Sequence, residues 1–281
     1  MRRRGAVIAV CAALAFLSAP ALAAPVALDP SVAGQGTTLL IAADASSLTS
    51  GGQSADAMTV ALDRGMRFDK TSRVQLCSRS AARRAACPLE SRIGFGRYLV
   101  AVRGYLLGAG DAQLTWSLDA YLGEPLRARD PASVVVIANL LGADSVGALL
   151  EPALGTSVPR RTTTLARVVQ ARSGAYGVEL QFPKLPVQFG VAAPATATPT
   201  TLELALSAVR RTREDFVRRF KIRTLDGYEV RKVRDHRLVG HHLFRTPRSC
   251  AGSWRSELRV GFPDGVKRSA SAIACTKAAP G

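Results

Sequence analysis

Histidine is scarce in this chain: there are three in 281 residues, at positions 236, 241 and 242. With every imidazole confined to seven positions, little of the sequence is left to histidine chemistry. Lysine is scarce too, with six (70, 184, 221, 232, 267, 277) beside 32 arginines. Such a bias, together with abundant Ala and Gly, is what a GC-rich genome produces, so part of the basic charge reflects codon composition. No G-x-S-x-G, H-E-x-x-H, Walker loop or dinucleotide fingerprint occurs. Gly94-Phe-Gly96 continues as Arg-Tyr-Leu and is no phosphate loop. No cofactor is implied. Beyond the amino terminus no apolar run approaches the roughly 20 residues that cross a membrane as a helix, and long helical periodicities are few.

What is present begins with Met1-Arg2-Arg3-Arg4, an apolar stretch from Gly5 to Leu17, and Ser18-Ala-Pro-Ala-Leu-Ala-Ala24. A cationic head, a short apolar centre and an Ala-x-Ala exit make a secretory signal. The apolar centre is too short to span a bilayer comfortably, so the expectation is cleavage after Ala23 or Ala24. Cys11 lies inside the apolar centre rather than at its end, which argues against lipidation. Removing Arg2, Arg3 and Arg4 takes the formal charge from +17 to +14. The mature product is expected to be soluble and secreted, or associated with the cell envelope.

Cleavage leaves four cysteines: Cys77, Cys87, Cys250 and Cys275. An even count in an exported chain reads as disulfides, with three connectivities possible. Proximity favours Cys77–Cys87 and Cys250–Cys275. Zinc is the competing reading, but its structural sites space ligands as C-x(2–4)-C, and neither pair is so close.

Strand signals fill the rest. In Gln113–Tyr121, Leu114, Trp116, Leu118 and Ala120 share one parity, and Gln113, Thr115, Ser117 and Asp119 the other. Tyr176–Phe182 alternates in the same way. That period of two gives one buried and one wet face. Further strands are expected at 37–43, 58–62, 98–102, 133–137, 165–169, 201–209, 216–222, 237–244, 257–262 and 267–275. Turns fall at Gly51-Gly52, 108–111, Asp130-Pro131, Asp226-Gly227 and Asp264-Gly265. Short helical turns are expected at 71–77 and 80–86, and 143–150 is ambiguous. The fold class is all-β: an immunoglobulin-like, Greek-key β-sandwich with few short helices and two disulfides. Residues 25–281 make one large sandwich domain, or two packed sandwiches divided near the Ala-, Pro- and Thr-rich stretch 189–200.

Two cysteine neighbourhoods carry a resemblance. Cys77 to Gly96 reads C-x(9)-C-P-x-x-S-x-I-G-x-G, with Pro88, Ser91, Ile93, Gly94 and Gly96 in place. Thr246-Pro-Arg-Ser-Cys-Ala-Gly-Ser-Trp254 then leads through Asp264-Gly265 to Cys275. Together these resemble a group of exported, uncharacterised β-sandwich proteins of high-GC bacteria. The resemblance implies fold and export and assigns no site. Read directly, Gly94 and Gly96 let a strand start sharply after the disulfide loop, and Trp254 packs over the second disulfide as core.

Candidate chemistry is thin. His236 and His242 with Asp235 could ligate a metal, though a solvated strand edge and turn is the favoured reading. Asp119, Glu124 and Asp130 could supply a glycosidase carboxylate pair. Residues 210–248 hold thirteen Lys or Arg against five acids, a net +8 in 39 residues. Within it, Arg218, Arg223, Arg231 and Arg237 could form one basic sheet face for an anionic envelope polymer or polysaccharide, bound by charge with little sequence reading. No specific nucleic-acid partner is implied. The leading function is a non-catalytic structural or adhesive protein of the envelope or extracellular space. Binding of an anionic polymer is the alternative, and an envelope hydrolase using His241 or His242 follows.

Overall fold

A computed structural model describes residues 24–69, 75–104, 112–142, 151, 156–171, 174–188, 195–207, 210–224 and 227–278. Within 210–241 it describes the backbone and the side chains of Val217, Lys232 and Arg234. The expected signal segment through Ala23 with its Cys11, the 71–74 part of the expected first helical turn, 143–150, the expected turn at 108–111 and Asp226 of the expected Asp226-Gly227 turn lie outside the described residues.

Seventeen strands account for most of these residues. The first six are β1 (Val26–Asp29), β2 (Gly36–Asp44), β3 (Thr49–Ser50), β4 (Gln53–Ser54), β5 (Ala57–Asp63) and β6 (Arg67–Phe68). The next six are β7 (Arg92–Arg103), β8 (Ala112–Gly123), β9 (Ala132–Leu140), β10 (Arg161–Gln170), β11 (Tyr176–Phe182) and β12 (Thr196–Leu206). The last five are β13 (Arg210–Thr224), β14 (Gly227–His241), β15 (Phe244–Arg245), β16 (Ser253–Phe262) and β17 (Gly265–Ala274). Two short helices, α1 (Ala45–Leu48) and α2 (Arg79–Arg83), are each capped on the N-terminal side by a side chain, Asp44 and Ser78 respectively.

Thirteen strands form one antiparallel sheet in the order β17-β16-β5-β11-β10-β9-β8-β7-β12-β2-β15-β6, with β1 added on β2. Strands β7 to β11 run as a meander, and β12 then returns beside β7. That is a Greek-key type of return enlarged to five strands. The sheet curls so that β1 comes against β16 and β17, closing a two-layered body over one large apolar core. Strands from both sides of 189–200 are hydrogen-bonded neighbours: β12 lies between β7 and β2, and β16 lies on β5.

The alternation read from the sequence sets which face is inside. Leu114, Trp116, Leu118 and Ala120 are buried in the main core, as are Val178, Leu180 and Phe182. The Trp116 indole N–H donates to the Pro159 carbonyl at 2.9 Å, so the largest core side chain leaves no polar atom stranded. Strand β9 is buried on both faces. The reason is a second cluster on the outside of the sheet, where Cys77, Ala82 and Ala85 of the disulfide loop cover Tyr121, Val135 and Ile137.

Both disulfides are formed, Cys77–Cys87 and Cys250–Cys275. Trp254 is buried in the main core, against which Cys250 and Cys275 pack. Gly51 and Gly52 both adopt positive φ (54° and 81°), as a two-residue hairpin turn between β3 and β4 requires.

Some elements differ from the expectation. Strand β12 begins at Thr196, inside the stretch expected as a loop; Pro199 fits because the pairing with β7 shifts register between Pro199 and Thr201. The strand expected at 237–244 ends at His241, and β15 follows. Gly94 and Gly96 answer a steric need rather than a sharp strand start: a Cβ on either would collide with the carbonyl oxygens of Ala205 and Glu203 on β12.

Candidate functional site

Three places in the fold concentrate polar groups: the outer face of the sheet, a cleft between its layers, and the hairpin β13–β14.

On the outer face a polar ladder crosses four strands. Arg259 on β16 donates to Glu257 at 2.7 Å and reaches over β5 to Glu179 on β11 at 3.3 Å. It can do so because β5 presents only Thr59 and Ala61 opposite those residues. Gln181 joins Glu179 to Arg167, and Arg167 grips Asp130 through two hydrogen bonds of 2.8 and 3.0 Å. The Arg259 guanidinium also lies 5.3 Å from the centre of the Tyr176 ring.

The electrostatics follow from these partners. Arg167's hydrogen bonds hold the Asp130 carboxyl below its ordinary range, against a smaller opposing effect of burial. For Glu257 burial is the largest single influence and pushes upward, yet the hydrogen bond and charge of Arg259 outweigh it and the carboxyl ends below its usual range. The other two carboxylates weighed as a glycosidase pair are also engaged. Asp119 pairs with Arg92 at 2.5 Å, and Glu124 accepts the Arg79 backbone N–H at 3.2 Å. A carboxylate fixed on a guanidinium fastens neighbouring segments together.

A cleft of about 370 Å³ opens between the layers, lined by Ser54, Asp56, Tyr98, Val100, Val187 and Gln188 among others. Tyr98 stands at its inner wall with its ring edge-on to Trp116. Burial raises the Tyr98 phenol well above its normal range, so it acts only as a neutral hydroxyl.

Of the histidines, His236 and His241 fall in the hairpin, outside the described side chains. The His242 ring packs where a Cβ on Gly36 would sit, and its Nδ1 is buried with no hydrogen-bond partner. Among the described residues no group of three or more His, Cys, Asp or Glu is placed to hold a metal, and among them no helix is long and apolar enough to cross a membrane.

The hairpin is a separate two-stranded sheet of two 15-residue strands. It leaves β12, which lies on one side of β2, and returns to β15, which lies on the other. Its return root is anchored by Leu243 and Phe244, both fully buried, with Phe244 edge-on to Phe68. The register pairs Arg218 with Val233, Phe220 with Arg231, Glu214 with Arg237, and Arg223 with Tyr228. Directly opposed residues share a face. Arg218, Arg231 and Arg237 therefore occupy one face parity, and Arg223 the other.

The second face collects what the sequence reading did not group. Arg211, Arg213, Arg219, Lys221 and Arg223 on β13 share it with Lys232 and Arg234 on β14. Parity counting finds this set once the register of 210–224 against 227–241 is known; strands confined to 216–222 and 237–244 do not bring it together.

No protein-family model matches the chain, and no curated protein or solved structure matches it.

Proposed function

We propose that the protein is exported, after loss of its first 23 or 24 residues, and serves the cell envelope or the extracellular space as a non-catalytic structural or adhesive β-sandwich of the immunoglobulin-like, Greek-key type. On this reading it belongs with the exported β-sandwich proteins that its two cysteine motifs resemble.

The observation that carries the reading is how the body uses its polar residues. Arg167, Arg259, Arg92 and Arg97 each fasten a carboxylate on the sheet, and two disulfides tie the ends of the α2 loop at 77–87 and of the β16–β17 hairpin at 250–275. Disulfides persist where thiols oxidise. Strand fasteners and cross-links build a durable surface, which is what an adhesive or structural protein outside the cytosol needs.

Two measurements test this. Amino-terminal sequencing of protein recovered from the medium and from the envelope should begin at Ala24 or Pro25, with no titratable thiol. An intact amino terminus with free thiols in the cytosolic fraction rejects export. A broad hydrolase panel should show no turnover, and an activity abolished by substituting one polar residue rejects the non-catalytic assignment.

A further inference from the structure

The hairpin segregates its charge by face. The parity of even residues on β13 and odd residues on β14 carries Arg210, Arg218, Arg231 and Arg237 with Glu214, Glu229 and Asp235, interspersed with Phe216, Phe220, Ile222, Val233 and Val239. Cations and acids nearly balance there. The opposite parity carries seven Lys or Arg (211, 213, 219, 221, 223, 232, 234) against Asp215 alone. The three hairpin side chains that are described, Val217, Lys232 and Arg234, all belong to this second face, and all three are exposed.

We propose that this cationic face is a docking ribbon for a linear phosphodiester polymer, engaged chiefly by Arg219, Lys221, Arg223, Lys232 and Arg234. The inference rests on the adhesive reading above and specifies its surface and its partner. These five residues lie between the Val217–Arg234 pair and the Arg223–Tyr228 pair, a length of about 20 Å of strand. Alternation spaces the cations of one strand about 7 Å apart, with the partner strand about 5 Å away. That is a line of charge, suited to a chain of charges rather than to a compact ion. Arginine forks pair with phosphate in a bidentate manner.

Geometry favours a polymer over a lipid surface. Two-stranded ribbons twist more strongly than wide sheets, so a line of cations on one winds and meets a plane at few points. A flexible polymer follows the twist. Phe216, Phe220 and Ile222 share the other parity, while Val217, Val230 and Tyr228 sit among the cations, so the preference for a polymer rests on the twist of the ribbon.

The test uses two charge-matched variants of the full mature protein. One is R219S/R223S/R234S and the other R218S/R231S/R237S, each removing three arginines. Retention is measured on immobilised poly(glycerol phosphate), on uncharged dextran, on vesicles containing phosphatidylglycerol, and on isolated cell envelopes.

Wild type should bind poly(glycerol phosphate) with log affinity falling against log salt at a slope of about −3.5, as five neutralised phosphates imply. R219S/R223S/R234S should bind at least about tenfold more weakly, with the slope shallower by about 2. R218S/R231S/R237S should lose less than about threefold, through net charge alone. Equal losses in the two variants overturn the face assignment. Preference for vesicles over poly(glycerol phosphate) overturns the partner. Binding to envelopes without binding to poly(glycerol phosphate) sinks this inference and leaves the adhesive reading standing; binding to neither sinks both.

Discussion

The body and the hairpin draw on the same arginine-rich composition and arrange it in opposite ways. On the body, arginines are interspersed with acids along and across the strands, so Arg259 meets Glu257 on its own strand and Glu179 two strands away, Arg167 meets Asp130, and Arg97 meets Glu203 on the next strand. On the hairpin, register gathers seven cations on one face and most acids on the other. A mixed-sign ladder holds strands together and cancels its own field. A single-sign face keeps its field and extends it outward, within reach of about a Debye length. Arginine in the first region acts on stability, and in the second, on the proposal above, on association.

Removing Cys77–Cys87 by the double serine substitution probes the body most severely. Loss of the cross-link is expected to cost about 3 kcal/mol, read as a fall in the denaturant midpoint. The outer cluster under α2 loosens with it, because Cys77, Ala82 and Ala85 cover Val135 and Ile137. A cost near zero would assign the stability of that face to β9 alone.

Arg167→Ala comes next, at about 2–3 kcal/mol, since it strands a carboxylate whose side chain is 3% exposed. It also changes the acid limb. Asp130's folded pKa lies below its ordinary 3.8, so the unfolded chain binds more protons in the window between the two values. The resulting stability is fully present above about pH 4–5 and is lost as pH falls through the folded value. Urea unfolding between pH 2 and pH 6 should therefore show a shallower acid loss in Arg167→Ala than in the wild type.

Arg259→Ala should cost less, about 1–2 kcal/mol, because its guanidinium is partly exposed. The acid dependence of Glu257, depressed from its ordinary 4.5, should weaken in the same direction. Least affected is the hairpin: R219S/R223S/R234S should shift the midpoint by no more than about 0.5 kcal/mol. A larger stability loss there than in Arg259→Ala would reverse the division between the two regions.

Much of the fold is legible along the chain. The period of two in 113–121 and 176–182 identifies the faces that bury Trp116 and Phe182, because strand geometry sends alternate residues to opposite sides regardless of context. Other features need the neighbour to be known. Gly96 looks like a strand-start residue until the Glu203 carbonyl is found against it. Ala61 looks like another core position until Arg259 is seen passing over it to Glu179. The candidate arginines fare likewise: their density is plain in the sequence, while their grouping depends on which residue of β13 faces which of β14.

The sequence by itself determined an all-β protein with two short-range disulfides and a concentration of arginine at 210–248. Local chemistry decides these: alternation, turn residues, cysteine spacing and composition act within a few residues of one another. Only the tertiary structure decided that Asp119, Glu124 and Asp130 are each engaged, that β12 returns beside β7, and that Arg223 shares its face with Lys232 and Arg234 rather than with Arg218. Those facts depend on pairing between distant segments, and a shift of one residue in register would invert each face.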